Sequence, residues 1–210
     1  MKKIIFIIAS FLPLLAMGQG SWERPQTTIT DTKKTADKGG YEYAKYLGNV
    51  VPVKDGEVVW EKTITNNKSA EENYAAMLSY LTVMTKEEGQ LKESTVALVN
   101  KNEHKIVCHF EEWLVFSSNF ISLDRTRLIY TLMAECYDNK VQVQIFRINY
   151  WYDELRNGGQ RYKAEEWITD KWGLNKKKTK LAKISGKFRR KTVDRMEEIL
   201  NNITTSLIGN

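Results

Sequence analysis

Apolar residues along this chain recur with two different periods, and the changes of period mark its elements. Over residues 57–65, Val58, Trp60 and Ile64 alternate with Val59, Glu61 and Thr63, the two-residue repeat of a strand with one covered face. A helix is predicted next, from Ser69 to about Lys86. Ser69 and Glu72 have the spacing of a capping box, and Tyr74, Met77, Leu78, Leu81 and Met84 recur every three or four residues. Gly89 closes it, and four consecutive strands follow, over 95–99, 106–116, 127–137 and 141–152. The last two are joined by a tight turn at Asp138-Asn139.

In the second of the four strands Ile106, Cys108 and Phe110 share a face. In the third, Leu128, Tyr130, Leu132, Ala134 and Cys136 do so. The fourth changes parity: Val141, Val143 and Ile145 give way to Phe146, Ile148, Tyr150 and Tyr152, which predicts a bulge near Ile145-Phe146. Beyond Gly158-Gly159, a short helix is expected over 164–171, with Trp167, Ile168 and Trp172 on one broad apolar side. A solvated lysine link over 176–180 then leads into a long helix over 187–207. Its stripe is Phe188, Thr192, Met196, Ile199, Ile203 and Leu207, widened by Val193 and Leu200. The order strand, helix, four strands, helix predicts an α+β domain. It has a five-stranded antiparallel sheet, helices covering one face, and a short extra helix ahead of the C-terminal one.

The N-terminus reads as an address. Lys2 and Lys3 precede an apolar run over 4–15, and Ala16-Met17-Gly18 supplies small residues for signal-peptidase cleavage before Gln19. That run is shorter than the roughly 20 apolar residues that a membrane span needs, and no other segment approaches that length. With no cysteine at the cleavage point, a lipid anchor is not expected. The expected organisation is a signal peptide (1–18), a flexible polar tether (19–45) and a single domain (46–210), in the periplasm or outside the cell.

Four strings carry a resemblance to a known family: YLGNVVPVKDGEVVWEKT, EEWLVF, LDRTRLIYTLMAECYD and YKAEEWITDKWGLNKKKTKLAKISGKFRRKT. Over residues 46–207 the chain resembles a family of exported bacterial proteins of unknown function with a TATA-binding-protein-like fold. That resemblance implies the same β-α-β-β-β-β-α order. It brings no catalytic or binding residues with it.

Charge changes the picture regionally. The formal net charge is +6, and removing the two signal-peptide lysines leaves +4. Residues 171–195 alone hold eight lysines, three arginines and one acid, a net +10, so the remainder is acidic. Candidate surface cations are Lys176, Lys177, Lys178, Lys180, Lys183, Lys187, Arg189 and Arg190. Three readings follow: nucleic-acid binding, disfavoured in an exported protein; peripheral contact of the final helix with an anionic membrane; or a solvated basic face.

Catalytic chemistry finds little to work with. His104 and His109 are too few and too badly placed for a metal site, and no phosphate loop, nucleophile elbow or HExxH helix occurs. Glu111 and Glu112 point to opposite faces of their strand. No cofactor or metal is expected, and no enzyme. Cys108 and Cys136 leave two readings open. In a register whose opposing residues sum to 244, they face each other across neighbouring strands, with His109 opposite Glu135, and can form a disulfide. Otherwise they are buried free thiols. The function expected is a non-enzymatic binding or protein-interaction module of the cell envelope. The alternative is a carrier holding a small apolar ligand or lipid between sheet and helices, with Trp113, Tyr130, Phe146, Tyr150 and Trp151 as lining.

Overall fold

The computed structural model describes residues 43–118 and 123–209. The expected signal peptide and most of the expected tether lie outside the described residues. The chain enters through a 3-10 turn, Ala44–Tyr46, whose Tyr46 is buried. A two-stranded hairpin follows, β1 (Val53–Lys54) and β2 (Glu57–Val58). The main sheet then takes β3 (Trp60–Thr65), β4 (Thr95–Asn100), β5 (Lys105–Ser118), β6 (Leu123–Tyr137), β7 (Lys140–Tyr152) and β8 (Gln160–Lys163). Its order is β3-β7-β6-β5-β4, all antiparallel, and β8 pairs with the far end of β7. The helices are α1 (Ala70–Met84), α2 (Asp170–Gly173) and α3 (Gly186–Ile208).

The sheet therefore has six strands rather than five. Strand β8 is the addition, and its sequence cue was the Gly158-Gly159 pair after a long strand, a hairpin signal. The first predicted strand is divided at Val59, whose N–H donates to the Pro52 carbonyl at 3.2 Å. The expected helix over 164–171 is instead a 3-10 turn, Ala164–Glu166, a break at Trp167 and the single turn of α2. Helical arithmetic across that break fails. Trp167 stacks on Tyr162 at 3.8 Å and Ile168 is fully buried, whereas Trp172 turns outward and is 46% exposed.

Both long helices cover the same sheet face. The α1 capping box forms as expected: Ser69 N–H donates to Glu72 Oε2 at 2.8 Å, and Glu72 N–H donates to Ser69 Oγ at 3.3 Å. Tyr74, Met77, Leu81 and Met84 are buried under it, as is every stripe residue predicted for α3. Facing them are Ile106, Cys108, Phe110 and Leu114 of β5, and Leu128, Tyr130, Leu132, Ala134 and Cys136 of β6. At about 25 cal/mol per Å² of apolar surface, this shared layer is the main source of stability.

Strand β6 keeps one parity toward the helices along its length, so β7 must change parity to stay in the core. It does so by a bulge. Ile129 pairs with Asn149 but Thr131 pairs with Phe146, leaving Tyr130 opposite both Arg147 and Ile148. Arg147 adopts φ 54°, the left-handed conformation such a bulge demands. The parity change was legible, and the bulge lies one to two residues beyond the predicted place.

The expected pairing of β5 with β6 is corrected by four residues. Opposing residues sum to 240, so Cys108 faces Leu132 and His109 faces Thr131. Cys136 pairs instead with Val141 on β7, and Glu135 meets Lys105, with Lys105 Nζ 2.6 Å from its carboxylate. Four residues of strand separate the two cysteines along the sheet, roughly 13 Å, beyond disulfide reach. Both are free and buried.

Arg189, expected on a basic surface, is the largest fully buried side chain. Its Nε donates to the Tyr46 carbonyl at 2.7 Å and its Nη1 to the Ile168 carbonyl at 2.8 Å. Its Nη2 meets the Gly48 carbonyl at 2.6 Å and Asp170 Oδ1 at 2.8 Å. Gly173 lets this happen: a Cβ there would stand 2.7 Å from the Ile168 carbonyl oxygen and 2.8 Å from Arg189 Cδ. A second polar pin joins α3 to β5, where Arg195 grips buried Glu112 through Nε at 2.9 Å and Nη2 at 2.8 Å.

Replacing Arg189 by Met strands its carbonyl partners and Asp170, and should cost about 3 kcal/mol in urea unfolding. Lys180→Met, at an exposed position between α2 and α3, should change stability by less than about 0.5 kcal/mol. Burial pushes both thiols up to about 12, so iodoacetamide at pH 8 should leave the folded protein unmodified. Denaturation without reductant should then expose two reactive thiols per chain by mass spectrometry.

Candidate functional site

The sheet face away from the helices carries an ordered row of side chains. Register places Trp113 opposite Arg127, Arg127 opposite Trp151, and Trp151 opposite Arg161. One line therefore crosses β5, β6, β7 and β8 in the order Trp, Arg, Trp, Arg. The guanidinium of Arg127 lies 5.4 Å from the Trp113 ring and 4.8 Å from the Trp151 ring, and that of Arg161 lies 4.2 Å from Trp151. Arg125, two residues before Arg127 on the same face, stacks on Trp113 at 3.5 Å. Each such contact contributes about 0.5–1 kcal/mol at an exposed site.

Carboxylates and a loop fix the row. Arg127 takes Glu154 at 2.5 Å through Nε and Glu111 at 3.5 Å through Nη1. Burial opposes the charge on Arg127, but these acids outweigh it and raise its pKa. Trp151 Nε1 donates to the Gly158 carbonyl at 2.8 Å. A Cβ on Gly159 would stand 2.6 Å from that nitrogen, so the loop after β7 can close under the indole only with glycine there. Leu123 and Leu155, 52% and 91% exposed, stand beside the row. With Trp113, Arg125, Trp151, Asp153 and Glu154 they line a shallow cleft of about 100 Å³.

The arrangement suits recognition. Indoles hold the guanidinium planes, and among the described residues no carboxylate takes the N–H edges of Arg125 and Arg161, which suit planar anions such as carboxylates. Sequence reading missed this row because it depends on three registers, and the one predicted was four residues off. A cue existed in Trp113, Arg127, Trp151 and Arg161, which all sit on the polar parity of their strands.

Other expected site residues are scattered. His104 sits at the turn before β5, 3.1 Å from Glu71, and His109 lies on the helix-free face, 3.3 Å from Glu111. Among the described residues no three His, Cys, Asp or Glu side chains gather as a metal site would need. The lining proposed for an apolar carrier divides between layers. Tyr130 and Tyr150 are fully buried beneath the helices, while Trp113, Phe146 and Trp151 belong to the opposite face. Tyr130 stacks on Phe110 at 5.1 Å, and Tyr150 Oη meets Thr192 Oγ1 at 2.7 Å, so these rings are packed core.

The expected basic surface also divides. Arg189 is buried, and Lys187 is held by Asp124 at 2.7 Å under the rings of Phe116 and Tyr152. Arg190 is half-buried, 6.0 Å from the Tyr43 ring. Lys176, Lys177, Lys178, Lys180 and Lys183 are exposed.

Comparison with known proteins agrees with the fold. A family model described as a domain of unknown function, DUF4468, with TBP-like fold matches residues 60–151. The crystal structure of a DUF4468 family protein from Bacteroides ovatus ATCC 8483 is 34% identical. It superposes with a TM-score of 0.72, covering 78% of this chain and 94% of that one. A TBP-like protein from Parabacteroides distasonis ATCC 8503, 23% identical, shares the fold with a TM-score of 0.61 over 75% of this chain and 96% of that one. No curated protein matches the chain. The strand order, the covering helices and this identity over most of both chains lead to one conclusion: the protein belongs to the DUF4468 family, a domain of unknown function with a TBP-like fold.

Proposed function

We propose that this protein is an exported, non-enzymatic binding module of the cell envelope whose working surface is the helix-free sheet face. The observation that carries this reading is the Trp113–Arg127–Trp151–Arg161 row, which lies across four paired strands and faces away from both long helices. Tryptophan and arginine, bordered by exposed leucines, have the composition of protein-interface hot spots. The partner that fits is an acidic polypeptide segment, whose carboxylates take the guanidinium edges while its apolar side chains meet Leu123 and Leu155. The basic, apolar and small-residue order of residues 1–18 supports export. The separation of His104 from His109 favours binding over catalysis.

Two measurements check this reading. Mass spectrometry of the chain recovered from the envelope should find Gln19 as its first residue; a chain beginning at Met1 would count against cleavage and export. A photo-crosslinker in place of Leu155 should give an adduct with one acidic partner in cells. Arg161→Glu should cut its yield by about 10-fold, equivalent to about 1.4 kcal/mol. An unchanged yield would remove the row from the binding surface.

A further inference from the structure

The lysine block between α2 and α3 is exposed, as expected of it, and is in addition an ordered hairpin. Leu174 and Leu181 form an antiparallel bridge. Asn175 N–H donates to the Lys180 carbonyl at 2.9 Å. The Asn175 side-chain oxygen accepts the N–H groups of Thr179 at 2.9 Å and Lys180 at 3.2 Å, and its carbonyl accepts that of Lys178 at 2.8 Å. Lys178 takes φ 54° to complete the turn. One asparagine thus organises a tip made of Lys176, Lys177 and Lys178, with Lys180 on the return strand.

The base of the hairpin is apolar on its outside. Ala182 N–H donates to the Gly173 carbonyl at 2.9 Å and Ser185 Oγ to the Trp172 carbonyl at 2.5 Å, joining the two arms. Next to these bonds stand Trp172, 46% exposed, and Ile184, 64% exposed. Lys171 Nζ lies 4.7 Å from the Trp172 ring. From Lys171 to Lys183 the chain holds six lysines and no acid. Asp170 comes within 4.0 Å of Lys178 Nζ, but its other oxygen is committed to Arg189. Gly186 keeps the hairpin tight on α3, since a Cβ there would stand 2.8 Å from Leu181 Cβ.

We propose that this hairpin docks on an anionic lipid bilayer surface, with Trp172 and Ile184 entering the interfacial layer and the lysines lying among the headgroups. Charge complementarity is the first argument, because an anionic leaflet draws clustered lysines within a Debye length. The second concerns side-chain type. The hairpin contains no arginine fork to read one partner group, but strongly hydrated ammonium groups on flexible stems, which suit a fluid field of headgroups. The third is the indole at the base, since tryptophan settles at the membrane–water boundary. The membrane contact expected of the final helix therefore moves to this hairpin, because Lys187, Arg189 and Arg195 of that helix are engaged within the domain.

The test uses the chain recovered from the envelope, with its own N-terminus, so that any contribution of that end is common to all samples. It should co-sediment with phosphatidylethanolamine vesicles containing phosphatidylglycerol and not with phosphatidylcholine vesicles. Binding should disappear at about 0.5 M salt, where screening acts within a few Å. A chain carrying Lys176→Glu, Lys177→Glu and Lys180→Glu, all exposed positions, should lose at least about 100-fold in partitioning. Equal partitioning of that variant and the unaltered chain would overturn the proposal, as would binding to soluble polyglutamate without binding to vesicles. Arg161→Glu should leave vesicle binding unchanged, so this proposal and the sheet-face reading fail separately.

Discussion

A single guanidinium, with no exposure to solvent, holds together the parts of this fold that no ladder of backbone bonds secures. Arg189 reaches the entry strap at Tyr46 and Gly48 and the turn at Ile168 and Asp170, while its own backbone belongs to α3. The strap and the turn are about 120 residues apart in sequence, one leading toward β3 and the other following β8, both of which pair with β7. Three neutral carbonyls and one carboxylate satisfy the planar fork, an arrangement a lysine could not reproduce. Burying a charge this way is costly in itself. Its benefit is placement: the strap, the turn and the start of α3 each have one position in which the fork is filled. The 171–185 hairpin inherits that rigidity through Gly173, which touches Arg189 on one side and bonds Ala182 on the other.

The sheet acts as a partition, and β5 illustrates how little sequence separates its two sides. Glu111 and Glu112 are adjacent, yet Glu112 passes into the core to meet Arg195 while Glu111 joins the outer row through Arg127. The same alternation gives Phe110 and Leu114 to the helices and Trp113 to the open face. On β7 the bulge at Arg147 repairs the alternation so that Ile148 and Tyr150 stay inside and Trp151 stays outside. Without that extra residue the outer row would lose its central indole to the core.

Periodicity carried most of this fold. Alternation along β5 and β6 and the α3 stripe are local signals backed by burial of many side chains, the Ser69 capping box is a local hydrogen-bond pair, and all were legible. Register was not, because a shift of four residues leaves alternation intact; Cys108 opposite Cys136 and Cys108 opposite Leu132 satisfy the same hydrophobic pattern. The Trp–Arg row, which depends on register across three strand pairs, was hidden for the same reason. Charge counting failed differently. Lys187, Arg189 and Lys180 look alike in a basic run, and only the positions of Asp124, Tyr46 and Asp170 separate a half-buried cation, a buried one and an exposed one.

The grip of Arg189 on the Tyr46 and Gly48 carbonyls also decides where a pull on the chain would be felt. A pull applied at Tyr43 would meet the domain at the 3-10 turn, where Lys45 and Tyr46 also hold Asp194 of α3. The load passes into the side of a 23-residue helix instead of peeling β3 from the edge of the sheet. A strand edge opens one bond at a time under such a force, whereas this fastening must give up several hydrogen bonds together. The N-terminal strap is thus fastened to the helix layer as well as to the sheet, and lifting it means breaking the bonds to Asp194 and Arg189 together.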